Sequence, residues 1–292
     1  MNETFLVGAN LPWIDYGLDF GANTWQPDGG IARPENRARL DSALRQLAHA
    51  DIRYVRWFLL CDGRAGIEYD ARGRALRPDG VLFRDLDAAL ELAHRYEIKV
   101  MFVLLDFLWC NASSSVRGVQ MGGRASLLGD ASDRSSLLDT VIRPLMDRYG
   151  KEPSIFAWDI LNEPEWIRAL TPDELRSFLV EAIALVRGAA QQPITIGSAG
   201  LRWRHRYDGL NLDFHQVHWY ETLTRQPPLH TPVDQLGYDR PVLLGEFPTR
   251  GSTLPPDRIV EMARAAGYGG AFFWSLLARD ECTDPATFLR GL

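Results

Sequence analysis

Apolar residues fall along this chain in two alternating rhythms. Short, nearly unbroken apolar runs of strand length are followed by longer stretches with apolar positions at helical spacing. Ile98–Leu105 is almost entirely apolar, as expected of a parallel strand buried on both faces. The stretch before it, Val81–Tyr96, carries Leu82, Leu86, Ala89, Leu90 and Ala93 on one helical face. Asn36–Ala50 does the same with Leu40, Ala43, Leu44 and Leu47. Further strands are predicted at Thr4–Ala9, Arg53–Leu60, Ser154–Asn162, Pro193–Ser198, Phe214–Tyr220, Pro241–Phe247 and Gly270–Leu276.

Helices are predicted at Asp133–Tyr149, with a kink at Pro144, at Pro255–Ala266, and as a short closing element at Asp284–Leu292. Thr171-Pro172-Asp173-Glu174 reads as a capped helix start: Thr171 as N-cap, Pro172 in the first turn, and Glu174 closing a capping box. That helix should run to about residue 190. The Gly-, Pro- and Ser-rich stretches Asn10–Pro34 and Asn111–Asp130 read as long loops. Gly200–Asp213 reads as a loop or short helix, and Thr231–Leu236 as at most a short one.

Strand and helix, or strand and compact crossover, thus alternate about eight times with no break in composition, which predicts a single-domain α/β chain folded as one (β/α)8 TIM barrel spanning residues 1–292. An open doubly wound sheet usually carries a Gly-rich nucleotide turn after its first strand; Gly8-Ala9-Asn10-Leu11-Pro12 has no such pattern.

A net charge of -6 with no basic run argues against nucleic acid and anionic membranes as partners. No apolar run is long enough to span a bilayer. Cys61, Cys110 and Cys282 make neither a disulfide framework nor a CxxC site. Met1-Asn2-Glu3-Thr4 lacks the basic start of a signal peptide, so the chain reads as cytoplasmic, or as secreted if a leader has been trimmed. His94, His205, His215, His218 and His230 show no metal-type spacing; no metal and no cofactor is called for. Oligomeric state has no signature here.

Active sites of such barrels lie at the C-terminal ends of the strands. Strand two ends in Arg56-Trp57-Phe58-Leu59, strand three in Asp106, strand four in Asn162-Glu163, strand six in His218-Trp219-Tyr220, strand seven in Gly245-Glu246-Phe247, and strand eight carries Trp274-Ser275. Each polar residue has a bland explanation alone; together they fall at one end of the barrel. Two carboxylates on strands four and seven fit glycoside hydrolysis, where one group protonates the leaving oxygen and the other attacks or directs water. Asn162 can hold the sugar 2-hydroxyl, Tyr220 can hold a nucleophile, Arg56 can keep it ionised, and Trp274 offers a flat floor for a sugar ring. Trp25, Trp109 and Trp203, on loops after strand ends, are expected to line the cleft and stack on sugar. Alternation places Asp159, Leu161 and Glu163 on one face, with Asp159 deeper, as one half of a buried pair with an Arg.

These motifs resemble clan A glycoside hydrolases, most of all the cellulase and mannanase family, family five. The resemblance runs from Arg56 to Trp274 and rests on Asn162-Glu163-Pro164, His218-Trp219-Tyr220, Gly245-Glu246-Phe247 and Trp274. It implies Glu163 as acid/base and Glu246 as nucleophile, with retained configuration, and a carbohydrate substrate of β-linked glucose or mannose type. Arg56, Asn162, His218, Tyr220 and Trp274 match supporting positions. The chain departs from the family at the end of strand three, where a His is common and Leu105-Asp106-Phe107-Leu108-Trp109 stands here. The competing readings are a non-catalytic sugar-binding barrel, which would lack one carboxylate, a transglycosylase on the same scaffold, and a phosphate-binding barrel, which would need Gly-rich turns at Pro248–Gly251 and Leu277–Asp280.

Overall fold

In the computed structural model, which describes residues 5–289, parallel strands close into a barrel of eight. They are β1 (Leu6–Asn10), β2 (Tyr54–Phe58), β3 (Lys99–Asp106), β4 (Ile155–Asn162), β5 (Ile194–Ser198), β6 (His215–His218), β7 (Val242–Pro248) and β8 (Gly270–Trp274). Each pairs with its chain neighbours, and β1 pairs with β8 to close the ring. The opening Met1–Thr4 and the last residues of the expected closing helix, 290–292, lie outside the described residues. No described helix is long and apolar enough to cross a membrane.

The helices follow from their sequence. Pro34–His49 and Leu82–Arg95 turn Leu40, Leu44 and Leu47, and Leu82, Leu86 and Ala93, onto the barrel. Pro172–Ala189 begins with the full capping box: Thr171 Oγ1 accepts the Glu174 N–H, and Glu174 accepts the Thr171 N–H. Two segments close β5–β6 and β6–β7 with 3-10 turns only, Leu201–Trp203 and Val233–Gln235. The bend expected at Pro144 takes the form of a π-helical segment, Leu138–Ile142, between α-helical Ala131–Leu137 and Arg143–Tyr149. A proline lacks the N–H to continue a regular ladder, and a widened turn absorbs the gap.

Two hairpins sit on the loops after β2 and β3, Ile67–Tyr69 with Ala75–Pro78 and Ser114–Val116 with Val119–Met121. The second lies in a stretch expected to be plain loop. Its turn is Arg117-Gly118, both at positive φ, as a two-residue hairpin turn requires.

Three register shifts fall near the C-terminal ends of the strands: between Asp159 and Asn162 on β4, Val217 and His218 on β6, and Leu244 and Phe247 on β7. Bulges re-aim side chains, and these bulges turn the next polar residue toward the mouth.

Candidate active site

The barrel interior changes character along its axis. At the N-terminal end it holds a small apolar cluster of Met101, Ala157, Phe214, Leu243 and Phe272. Above that lies a polar layer centred on Arg56, which has no exposed surface. Every N–H of its guanidinium has an acceptor. Nε and Nη2 donate to Asp159 Oδ2 at 3.0 and 2.9 Å, Nη1 donates to Asn10 Oδ1 at 3.1 Å and Glu246 Oε1 at 2.6 Å, and Nη2 also donates to Asn162 Oδ1 at 2.7 Å. Asp159 takes further N–H groups from Gln216 and the Gly197 backbone. Gly197 is needed there because a Cβ would sit 2.8 Å from Arg56 Nη2.

Asp159 is thus the buried partner of an Arg, as its depth in the strand suggested. The strict alternation is corrected, however. Asp159 and Asn162, three residues apart, reach the same guanidinium, while Leu161 packs in the outer hydrophobic core. The β4 register shift between them is the cause. Glu163 then reaches the mouth through a left-handed backbone, φ 45° and ψ 53°. Removing one partner of a buried ion pair leaves a charge stranded in low dielectric, so Asp159→Ala should lower the unfolding free energy by about 3–5 kcal/mol. Urea denaturation checks this; a loss below about 1 kcal/mol, the range of exposed pairs, would mean the remaining acceptors carry Arg56 unaided.

The two glutamates face each other across a cavity of about 570 Å³ that opens at this end of the barrel. An oxygen of each, with a ring nitrogen of His218, lies within 4.8 Å of the others. Their surroundings differ. Glu246 accepts from Arg56 on Oε1 and from the Tyr220 hydroxyl on Oε2, at 2.8 Å. Burial pushes its carboxyl up and the Glu163 charge adds to the rise, while Arg56 and the Tyr220 hydrogen bond oppose it. Burial also keeps the Tyr220 phenol protonated and so a donor.

Glu163 accepts from Trp166 Nε1 on Oε2 at 2.7 Å and contacts His218 Nδ1 through Oε1 at 2.7 Å. Burial drives it up to about 7, against the Trp166 hydrogen bond and the charge of Arg56. Its side chain keeps 17% of its surface open to the cleft, so water moderates that shift until a ligand covers it. His218 is fully buried and pushed down to about 4 by desolvation, hence neutral. Its Nε2 has no partner among the described residues. An orphan acceptor is cheaper than an orphan N–H, which assigns the proton to Nδ1, donating to Glu163. Both Glu163 oxygens then accept N–H groups, and its own acidic proton is left for the cleft.

The remaining lining is aromatic and apolar: Trp13, Tyr16, Phe58, Trp166 and Trp274 among others. Trp274, which precedes a cis peptide bond to Ser275, donates Nε1–H to Asp280 and meets Trp13 edge-on. A separate groove of about 1180 Å³ shares Trp13 and Tyr16 with this cleft and is lined by Arg39, Arg250 and Arg279; it holds neither glutamate.

Arg56, Asp106, Asn162, Glu163, His218, Tyr220, Glu246 and Trp274 are therefore gathered at one end of the barrel. The three loop indoles lie beyond the same strand ends but do not line the cleft. Trp109 is a correction: it has no exposed surface, and its Nε1–H is spent on the Leu60 carbonyl, so it packs in the core. The 3-10 turn Phe107–Cys110, capped by Asp106, rolls that ring inward and leaves Phe107 and Leu108 to the cleft. Trp25 is 37% exposed but binds the Val116 carbonyl on the second hairpin, outside the cleft lining. Trp203 is half-buried and outside the lining, edge-on to Trp166 at 5.5 Å. Asn10 was missed because the first strand reads one residue short in the sequence. Trp13 and Trp166 line the cleft without having been singled out, because a loop position does not fix the direction of an indole.

No protein-family model matches the chain. Two mannan endo-1,4-beta-mannosidases match it along most of its length. That of Mytilus edulis is 24% identical, covering 94% of this chain and 84% of its own. That of Cryptopygus antarcticus is 22% identical, covering 97% and 83%. The chain resembles the family-five glycoside hydrolases of clan A. The crystal structure of an endo-1,4-beta-mannanase from Eisenia fetida superposes with a TM-score of 0.83 at 23% identity, over 100% of this chain and 91% of that one. At that identity the structural likeness is one of fold, and the family-five-like barrel here has its own polar end.

Glu163, His218 and Glu246 also form a triad of potential metal donors. The guanidinium 2.6 Å from Glu246 Oε1 opposes a cation there, and each carboxylate already has N–H or O–H partners.

Proposed function

We propose that the protein is a retaining glycoside hydrolase, an endo-β-1,4-mannanase, with Glu163 as acid/base and Glu246 as nucleophile. One observation carries the reaction class: two carboxyls with oxygens within 4.8 Å, both pushed up by burial, of which Glu246 alone is held by hydrogen bonds from Arg56 and Tyr220 that favour its ionised form. Retention needs carboxyls about 5–5.5 Å apart, whereas inversion needs about 6.5–9.5 Å to seat a water. Mannan as substrate follows the named activity of the two relatives. Endo action follows the same two names.

In the first step Glu246 attacks the anomeric carbon as the glycosidic bond breaks, and the Glu163 proton passes to the leaving oxygen. In the second, Glu163 takes a proton from water, the water oxygen bonds to the anomeric carbon, and the bond to Glu246 breaks. Product-resolved digestion of β-1,4-mannan, with β-1,4- and β-1,3-glucans alongside, tests the reading. Short manno-oligosaccharides should appear early from internal cleavage. Products longer than the substrate would make transfer to a sugar acceptor the main reaction, and cleavage of glucan alone would overturn the substrate.

Because Glu163 must be protonated to act first, kcat/KM should fall as pH rises through about 7, the value to which burial drives it. A pH–rate profile with its alkaline limb near the ordinary carboxylate range would show that burial does not tune this acid.

A further inference from the structure

Asp106, at the end of β3, has surroundings unlike those of the two glutamates. It is buried except for an edge on the cleft. Its Oδ1 accepts the Leu108 N–H at 2.9 Å, capping the 3-10 turn, and its Oδ2 accepts an N–H of Asn162 Nδ2 at 3.1 Å. The other end of that amide, Oδ1, is taken by Arg56 Nη2 at 2.7 Å. An amide can turn by half a rotation with little change in shape. Here the turn would set NH2 against guanidinium, donor to donor, and, when Asp106 is ionised, oxygen against carboxylate, acceptor to acceptor.

We propose that Asp106 is a positioning residue: it fixes the Asn162 amide through one Nδ2 proton, so that the second is presented to the sugar hydroxyl beside the anomeric carbon. This rests on reading the cleft as a glycosidase site. The residue type follows from the task. A carboxyl accepts on both oxygens, ionised or neutral, so it can hold the turn and the amide together. An amide at 106 accepts on one oxygen only and would have to abandon one of the two. Burial drives Asp106 up to about 8, with Glu163 adding to the rise and Arg56 opposing it; the Tyr16 phenol also faces it. Both accepting contacts survive in the neutral form, and the charged form strengthens them.

The test combines kinetics with a signal independent of turnover. Asp106→Asn should lower kcat/KM on manno-oligosaccharides roughly ten- to a hundredfold, the scale of one strong hydrogen bond. The loss should fall mainly in kcat, since contacts to the 2-hydroxyl strengthen in the transition state. In an Asn162→Ala background the same change should alter kcat/KM less than about twofold, because residues acting as one unit are not additive. Losses that multiply would overturn the proposal. In 1H–15N spectra, the Asn162 side-chain NH2, assigned by its disappearance in Asn162→Ala, should shift as Asp106 titrates, at whatever pH that falls above the ordinary carboxylate range, and should still do so in Glu163→Gln. A resonance unmoved over the whole pH range in which the protein stays folded overturns the proposal even if Asp106→Asn fails to fold. If the wild-type protein cleaves no β-linked glycan, the glycosidase reading falls instead, and the amide signal alone decides whether Asp106 holds Asn162.

Discussion

Glu246→Ala should lower turnover by at least about 10⁴-fold, the scale on which losing a covalent nucleophile acts. The loss follows from geometry as much as from chemistry. Arg56 and Tyr220 place their donors on the two Glu246 oxygens, and both remain after the substitution with nothing to hold. A small anion such as azide fits the vacated space and the positive field of Arg56. It would attack the anomeric carbon from the face Glu246 used, in a single displacement, so the rescued product should have inverted configuration. Chiral analysis of that product is the check. A rescued product of retained configuration would mean that Glu246 is not the nucleophile.

The barrel was legible because each signal was local. Ile98–Leu105 reads as a doubly buried strand from its own composition, and Thr171 to Glu174 reads as a helix start from four residues. The short hairpins were not legible: Ile67–Tyr69 and Ala75–Pro78 gain their stability from pairing and from Asp70 holding the turn, which no periodicity records. The polar cluster could be read as a set, because strand order alone sends Arg56, Asn162, His218 and Glu246 to one end. Direction within the set could not. Glu163 and Asn162 are adjacent, yet both serve the mouth, because a register shift and one left-handed residue break the alternation there. Trp109 shows the same limit in reverse. Its loop position suggested a sugar platform, but the cap at Asp106 closes a tight turn that buries the indole. Sites are where local rules give way to tertiary ones.

Glu163→Ala should separate the two chemical steps. A general acid contributes about 10²–10⁴-fold, so mannan and unactivated oligosaccharides should lose activity on that scale. Substrates with good leaving groups, such as dinitrophenyl glycosides, need no proton to depart, and their first step should be spared. The second step still needs Glu163 as base, so the glycosyl-enzyme should accumulate and KM should drop with kcat. Trp166 and His218, which donate to the two Glu163 oxygens, have no part in attack and cannot replace it as base: one is an indole N–H, and the other is pushed down to about 4 with its Nε2 walled from the cleft by burial. Azide entering the vacated space would meet the glycosyl-enzyme from the side opposite Glu246, and so give a product of retained configuration. Pre-steady-state bursts with an activated mannoside, followed by product stereochemistry, distinguish this outcome. Equal losses on activated and unactivated substrates, with no burst, would remove Glu163 from the acid/base role. Inverted azide product here together with retained product from Glu246→Ala would exchange the two roles outright.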